Sequence, residues 1–331
     1  MESMARRLLW PVLAAALGAL SGSLGAGCGG GDDPVEPGAG DRGGNDLTPL
    51  TYEPCAAAER VGSFTIELTD QYTAVGGKVF DAVAPRDVPV EVATDGPCTL
   101  FAAPVMQCNP ACDATSQVCA EGNQCLPQPV ARDLGKVTVR GLLVPLELEP
   151  NRVTKAYANP ASAPLPQPGF EPGASLHLSS SGGDYAPIAL RGWGVSLLEG
   201  VTNPIALRAG QELALSWQPP ADPGPARVHL NLNINHHGST SSWIECDVED
   251  VGSAHIPGAL VDALLARGQS GFPTLTVTRR SVSSTRIEPG CIELAVSSES
   301  VSDVELENFQ SCSSVVKCGP GKSCGPEFFC Q

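Results

Sequence analysis

Two adjacent histidines, His236 and His237, are the residues best suited to binding a transition metal, and His229 and Asp247 lie near them in sequence. Zinc sites combine histidine nitrogens with cysteine sulfurs or carboxylate oxygens. Alternate residues of a strand point to opposite sides, so only His237 would share a side with His229, roughly 25 Å away along the strand. A shared site would require the chain to fold back. We therefore expect a polar turn here, with His236 and His237 as weak metal candidates and no cofactor.

A row of polar side chains, His229, Asn231, Asn233 and Asn235, alternates with apolar residues and would occupy one face of a strand. Asparagine amides donate and accept hydrogen bonds at once, which suits the hydroxyl groups of sugars. Trp243 is a candidate for the aromatic side chain that such sites usually add, although tryptophan often belongs to a core. The row predicts either a glycan-binding face or an ordinary solvated sheet face.

Patterns typical of hydrolases are missing from the chain. It contains no G-x-S-x-G, H-E-x-x-H or phosphate-binding Walker sequence. Paired carboxylates do occur, but they are common in any acidic chain. They are Glu245/Asp247, Asp247/Glu249 and Glu147/Glu149. We expect a binding or structural protein and not an enzyme, with a metal-dependent hydrolase as the distant alternative.

Thirteen cysteines indicate an oxidising compartment, since disulfides persist outside the cytosol. If Cys28 carries a lipid, twelve cysteines are left to form six disulfides. Zinc is the rival interpretation, but the spacing C-x3-C-x6-C-x5-C from Cys108 to Cys125 lacks a C-x2-C pair and a nearby histidine. The chain therefore favours structural disulfides.

Two clusters of four cysteines are predicted to pair locally, first with third and second with fourth. These pairs are Cys108–Cys119, Cys112–Cys125, Cys312–Cys324 and Cys318–Cys330. For the remaining four we expect Cys55–Cys98 and Cys246–Cys291, with Cys55–Cys291 as the main rival. Spacing cannot decide between them, because a disulfide requires Cα atoms within about 7 Å.

The first 28 residues fix the expected compartment. Arg6 and Arg7 precede the apolar stretch Leu8 to Leu24, and small residues lead to Cys28. This pattern resembles the bacterial lipoprotein signal, which implies acylation of Cys28, including palmitate, and membrane anchoring. The localisation would be the cell envelope, on either face of the outer membrane. A secretory signal cleaved nearby and an uncleaved anchor are the alternatives, but the stretch is short for a membrane span.

The amino-acid composition excludes some classes of partner and favours a β-rich fold. The formal charge of −16 argues against nucleic acid, which requires clustered Lys and Arg. Apolar residues make up 42% of the chain and aromatics only 5%, so the core must consist mainly of aliphatic side chains. The 36 Gly and 30 Pro favour short strands and turns over helices. A glycan or a protein is the expected partner, besides the membrane.

Short segments with period-two alternation recur along the chain and predict an antiparallel β-sandwich of Ig-like or jelly-roll type. The predicted strands are Ser63–Thr69, Gly77–Phe80, Val88–Val92, Lys136–Arg140, Ala174–Leu178, Gly194–Leu198, Glu212–Trp217, Arg227–Asn235, Trp243–Val248, Thr274–Thr278 and Cys291–Val296. One short helix is predicted over Pro257–Arg267, with Pro257 at its first helical position and Gly268 after its end.

The same patterns divide the chain into six parts. They are a signal peptide (1–27), a Gly/Asp/Pro tether (28–50), first β strands (51–97), a Cys-rich insert (98–127), a β-sandwich (128–300) and a Cys-rich C-terminal module (301–331). The two Cys-rich modules have few large apolar residues, so disulfides must stabilise them.

Several short motifs are similar to those of uncharacterised Cys-rich lipoproteins of myxobacterial type. They are Asn235-His236-His237-Gly238, Ile244 to Val248, Ile256-Pro257, Gly271 to Thr274, Thr278-Arg279 and the C-x3-C-x6-C-x5-C insert. The resemblance implies a location and a β-rich fold, and it implies no activity.

Overall fold

The computed structural model describes residues 49–235 and 241–331, and these residues are mainly β. The signal peptide, Cys28 and nearly all of the tether lie outside the described residues. The strands are β1 (Arg60–Leu68), β2 (Thr73–Phe80), β3 (Val90–Asp95), β4 (Cys98–Ala102), β5 (Gln117–Ala120), β6 (Gln124–Pro127), β7 (Ala131–Arg132), β8 (Val137–Arg140), β9 (Leu146–Leu148), β10 (Tyr157–Ala158), β11 (Ser175–Ser180), β12 (Ala189–Trp193), β13 (Ile205–Leu207), β14 (Leu213–Ser216), β15 (Arg227–Asn233), β16 (Ser242–Glu249), β17 (Ser253–Ile256), β18 (Thr274–Arg286) and β19 (Cys291–Leu306). The helices are a 3-10 turn (Pro85–Asp87) and α1 (Gly258–Leu265).

The largest sheet has the strand order β10-β2-β1-β19-β18-β15-β16-β4-β3, with β13 attached to β19 and β7 to β2. Its neighbours are antiparallel except for β1 with β19 and β13 with β19, which are parallel. The prediction of a purely antiparallel sandwich is therefore wrong in this detail. Alternation in a sequence indicates which face a residue occupies, but it carries no information about strand direction.

One face of the large sheet is apolar and buries two separate clusters. The first lies between β1, β2 and the first half of β19 on one side and a four-stranded sheet, β12-β11-β8-β9, on the other. Phe64 and Val296 of the large sheet and Leu178 of the small sheet are central to it. This pair of packed sheets confirms the predicted β-sandwich.

The second cluster lies under β18, β15, β16 and β4, and it is covered by β13, by the two-stranded sheet β14-β17 and by α1. Leu230, Ile244 and Leu100 are fully buried in it. Helix α1 contributes Leu260, Val261 and Leu264, which is the apolar stripe that its sequence predicts.

Two local predictions need correction. Pro257 is the N-cap of α1 and not its first helical residue, and the helix ends before Gly268, whose φ of +92° suits glycine. The predicted strand Gly194–Leu198 is not a strand, because the strand of this region, β12, ends at Trp193.

A buried ion pair lies where the two clusters meet. Arg279 follows Val277 of the second cluster on β18, and its Nε donates to Asp250 Oδ2 at 2.5 Å. Their side chains are 2% and 0% exposed. The guanidinium also donates to the carbonyl oxygens of Leu197 and Gln218, while the indole of Trp217 donates to Asp250 at 2.7 Å. Removing one partner would leave a buried charge without compensation.

The described residues form six disulfides. They are Cys55–Cys291, Cys98–Cys246, Cys108–Cys119, Cys112–Cys125, Cys312–Cys324 and Cys318–Cys330. The four local pairs are those predicted, whereas the predicted pairs Cys55–Cys98 and Cys246–Cys291 are wrong. Strands β15 and β18 separate β16 from β19. Three strand spacings amount to roughly 14 Å, about twice the reach of a disulfide.

The Cys-rich segments are shorter than predicted. Residues 98–102 form β4, which pairs with β16 inside the large sheet and buries Leu100 completely. Residues 301–306 are the last six residues of β19 and so belong to the large sheet. We therefore use the names first Cys-rich segment for residues 103–129 and second Cys-rich segment for residues 307–331, and we call everything else that is described the β body.

Candidate binding face on the large sheet

The face of the large sheet opposite the two clusters, here called the outer face, carries the predicted polar row. Along β15, Val228, Leu230 and Leu232 are buried, so His229 and Asn231 point to the outer side and are half-buried there. Cross-strand pairing places Asn231 opposite Glu245 and Asn233 opposite Trp243 on β16. The structure therefore brings His229, Asn231, Asn233 and Trp243 together on one face.

Asn235 does not belong to this face. Strand β15 ends at Asn233, so the alternation stops and Asn235 is only 3% exposed. Its side-chain oxygen accepts a hydrogen bond from Ser270 Oγ at 2.7 Å, and its backbone N–H donates to Asn233 Oδ1 at 2.9 Å. Asn235 thus fixes the end of the strand, and its assignment to the polar row is wrong.

Glu245 is the centre of the row. Its Oε1 accepts hydrogen bonds from Trp243 Nε1 at 2.6 Å and from Asn231 Nδ2 at 3.4 Å, and His229 Nε2 lies 3.4 Å from its Oε2. Burial acts to raise the pKa of Glu245, but hydrogen bonds from His229 and Trp243 and the positive charges of His229 and Arg280 hold that pKa below its usual value. The Glu245 side chain is therefore an ionised carboxylate that its hydrogen bonds hold in position.

An aromatic pair borders the row. Phe101 on β4 lies opposite Trp243 in the register, and their ring centroids are 6.1 Å apart with an interplanar angle of 32°. Both side chains are half-buried. The outer face therefore places apolar rings next to amide, indole N–H and carboxylate groups.

A second polar cluster adjoins Glu245 on the same face. Tyr52 donates its hydroxyl proton to Asp247 Oδ2 at 2.5 Å, Arg280 donates to the Tyr52 hydroxyl at 3.0 Å, and Arg227 donates to Asp247. Both guanidinium carbons lie within 6 Å of the Tyr52 ring centroid, at 5.8 Å for Arg227 and 5.9 Å for Arg280. Burial, aided by Asp247, raises the pKa of Tyr52, so its phenol stays neutral and donates. This cluster fixes residues near the chain's first disulfide against the sheet.

Sequence reasoning missed most of the groups that organise this face. It treated Glu245 and Asp247 as uninformative, although the alternation in β16 places both on the same side as Trp243. Phe101 fell inside the predicted Cys-rich insert, and Tyr52 lies 195 residues from its partner Asp247. No local pattern indicates contacts of that range.

The sequence also suggests metal sites at the adjacent histidines and, as the rival of disulfides, at the cysteine clusters. His236 and His237 lie outside the described residues, as does Cys28. The sulfurs of Cys108, Cys112 and Cys119 lie within 4.8 Å of one another, and so do those of Cys312, Cys318 and Cys330. All six belong to disulfides, so none offers a thiolate to a metal.

Comparisons with known proteins leave the family of this chain open. No protein-family model matches it, and no curated protein matches it. A crystal structure of the chicken CNTN1 FN1–FN3 domains aligns with 68% of this chain and 69% of that chain, at 8% identity and a TM-score of 0.18. A likeness this weak carries no inference about fold or function. Among the residues that the structure describes, no helix has the length and hydrophobicity needed to traverse a bilayer.

Proposed function

We propose that this protein is a carbohydrate-binding recognition protein that contacts the glycan through the part of the outer face on β4, β15 and β16, which we call the glycan face. The observation that carries the proposal is the placement of Trp243 and Phe101 beside Asn231, Asn233 and the Glu245 carboxylate. Sugars present hydroxyl groups at their rims and C–H groups on their ring faces. A site with amides, a carboxylate and apolar rings on one surface matches both parts.

The geometry favours weak, extended recognition. The Glu245 oxygens are already engaged by Trp243, Asn231 and His229, so a sugar hydroxyl would share or replace these bonds. The two 3.4 Å contacts are long and are the ones a ligand would displace at least cost. A flat sheet face fits a polysaccharide chain better than a single sugar.

A glycan array followed by calorimetry on its best ligand tests this proposal. Replacing both Asn231 and Asn233 with Ala should weaken binding about fivefold per lost neutral hydrogen bond. The matched control is Thr65→Ala, which lies on the same face of the sheet but on β1, three strands from β15. Thermal unfolding of each variant separates loss of binding from loss of folding.

Two results would contradict the proposal. One is a wild-type protein that binds no glycan on a broad array. The other is an equal loss of affinity in Thr65→Ala and in the double asparagine variant.

We further propose that the protein is held in the cell envelope by a lipid on Cys28. Support comes from the basic and apolar leader before Cys28 and from six disulfides, which fit an oxidising compartment. Metabolic labelling with a fatty acid should mark the wild-type protein and not Cys28→Ser. Equal labelling of both would overturn the lipid anchor while leaving the glycan face unaffected.

A further inference from the structure

A cavity of 590 Å³ opens where β1 begins and β2 ends, on the same outer side of the large sheet but far from the glycan face on β4, β15 and β16. Its walls also include the 3-10 turn and the residues Gln128 and Pro129. Strand β2 is four strand spacings from β15, roughly 19 Å across the sheet. The volume falls within the range of small-molecule sites.

Positive charge is concentrated at this cavity although the whole chain is acidic. The chain has 20 Lys and Arg against 36 Asp and Glu. Arg60, Lys78 and Arg86 nevertheless all line the cavity, where Asp87 is the single acidic lining residue. An acidic protein gains no solubility from such a grouping, whereas an anionic ligand would be attracted by it.

The sheet fixes one of these cations inside the cavity. Val79 is buried in the first cluster, so its neighbours Lys78 and Phe80 point to the outer side of β2, and Lys78 is paired with Ser63 of β1. The Lys78 ammonium lies 4.9 Å from the centroid of the Phe80 ring. Lys78 is a half-buried residue, and the contact of its ammonium with the ring positions that charge at the cavity wall for an anion.

The other two cations differ in how they are engaged. Arg60 forms an ion pair with Glu293 at 3.0 Å, which fixes its guanidinium at the rim. Arg86 is exposed, and within residues 49–235 and 241–331 neither Arg86 nor Lys78 takes part in an ion pair. Two cations at one cavity are therefore available to a ligand.

We infer that this cavity binds a small organic anion in which a phosphate or carboxylate is attached to an apolar body. Lys78 and Arg86 contact the anionic group, since ammonium and guanidinium donors make strong bonds to such oxygens. The body of the ligand packs on the apolar part of the wall, which includes Val61, Phe80 and Val83. This site is separate from the proposed glycan face, and neither proposal depends on the other.

The test compares matched ligands by calorimetry with the mature, disulfide-bonded protein. Phenyl phosphate and benzoate carry both the anion and the apolar ring, phenol carries only the ring, and inorganic phosphate carries only the anion. We expect phenyl phosphate or benzoate to bind at least about tenfold more tightly than phenol, and more tightly than inorganic phosphate. Raising the salt concentration should weaken this binding.

A pair of double variants separates a specific site from net charge. Lys78→Gln with Arg86→Gln should reduce the affinity about tenfold or more. Arg140→Gln with Arg152→Gln removes the same charge from exposed positions away from the cavity and should leave binding unchanged. The Asn231→Ala, Asn233→Ala variant should also bind the anions normally.

Three outcomes would overturn the inference. They are equal affinity for phenol and phenyl phosphate, equal loss in the two double charge variants, and no binding of either aromatic anion at millimolar concentration.

Discussion

The β body and the two Cys-rich segments are stabilised in opposite ways. The β body buries two large hydrophobic clusters, and its two disulfides join residues 148 and 236 positions apart. The first Cys-rich segment has only Val118 and Ala120 among its buried apolar residues, each 9% exposed. All four disulfides of the Cys-rich segments close loops of 11 to 13 positions. Where there is little to bury, local covalent closure replaces a core.

The two Cys-rich segments also differ from each other. The second segment contacts the β body through Phe309, which packs against the second cluster and stacks on Phe329 with centroids 5.6 Å apart. Gly271 of the β body donates a backbone hydrogen bond to Glu327 at 2.8 Å. The first segment is a two-stranded hairpin, β5-β6, whose tip is exposed. The first segment also meets the β body, at the 3-10 turn and through Gln128 and Pro129. We therefore expect the β body to protect the second segment in part, and we expect the first segment to depend more strongly on its disulfides.

The largest predicted effect concerns the disulfide inside the second cluster. Replacing both Cys98 and Cys246 with Ala should lower the free energy of unfolding of the β body by about 5 kcal/mol, because the disulfide closes a long loop in the unfolded chain. Replacing Cys108 and Cys119 with Ala should leave the β body unchanged and expose the hairpin to proteolysis. Three of the four tryptophans, Trp193, Trp217 and Trp243, belong to the β body, and Trp10 lies in the leader. Denaturation of the protein without residues 1–27, followed by tryptophan fluorescence, therefore measures the β body alone.

If replacing either cysteine pair shifted the unfolding transition seen by fluorescence by the same amount, the proposed difference between the β body and the Cys-rich segments would be wrong. Mass spectrometry of non-reduced proteolytic peptides should meanwhile show that the other five disulfides are intact in each variant.

The next effect tests the junction of the two clusters. Arg279→Met should destabilise the β body by about 3–5 kcal/mol, because Asp250 is fully buried and would keep an uncompensated charge. Arg280→Gln is the matched control, since the adjacent Arg280 lies on the outer face with a partly exposed ion pair to Asp247 and should change stability by at most about 1 kcal/mol. Chemical denaturation at neutral pH measures both. If the two variants lowered the free energy of unfolding equally, the buried pair Arg279–Asp250 would not have a special stabilising role where the clusters meet.

The smallest effect is a pH dependence at the glycan face. The pKa of Glu245 is lower in the folded protein than its ordinary value of 4.5, so its carboxylate stabilises the fold above that pH and loses this contribution as the pH falls through the folded value. The wild-type protein should lose free energy of unfolding as the pH falls below about 5. Glu245→Gln should reduce this loss by up to about 1 kcal/mol. Glu249→Gln, at an exposed position of the same strand, is the control. Identical pH profiles for Glu245→Gln and wild type would contradict the role of this carboxylate.

Pro257, Gly268 and the apolar spacing between them predicted α1. Alternation in the sequence predicted the β class, all of β15 within the longer range Arg227–Asn235, and the common face of His229, Asn231 and Asn233. It placed the edges of strands less well. The sequence predicts that β4 belongs to the Cys-rich insert, because its two large apolar residues stand next to a cysteine cluster. Strand β19 continues through a run of Ser, Glu and Val that has no clear apolar periodicity. Both strands are stabilised by partners far away in sequence, which a local pattern does not contain.

The same distinction holds for the candidate sites. The sequence by itself determined the local disulfides and the polar row, because spacing within about fifteen residues restricts which groups can meet. Only the tertiary structure decided that Cys55 joins Cys291, that Phe101 lies beside Trp243, and that Lys78 and Arg86 line one cavity. These contacts depend on strand order and on register. Both arise from the packing of the whole sheet against its two clusters, and no short stretch of sequence encodes that packing.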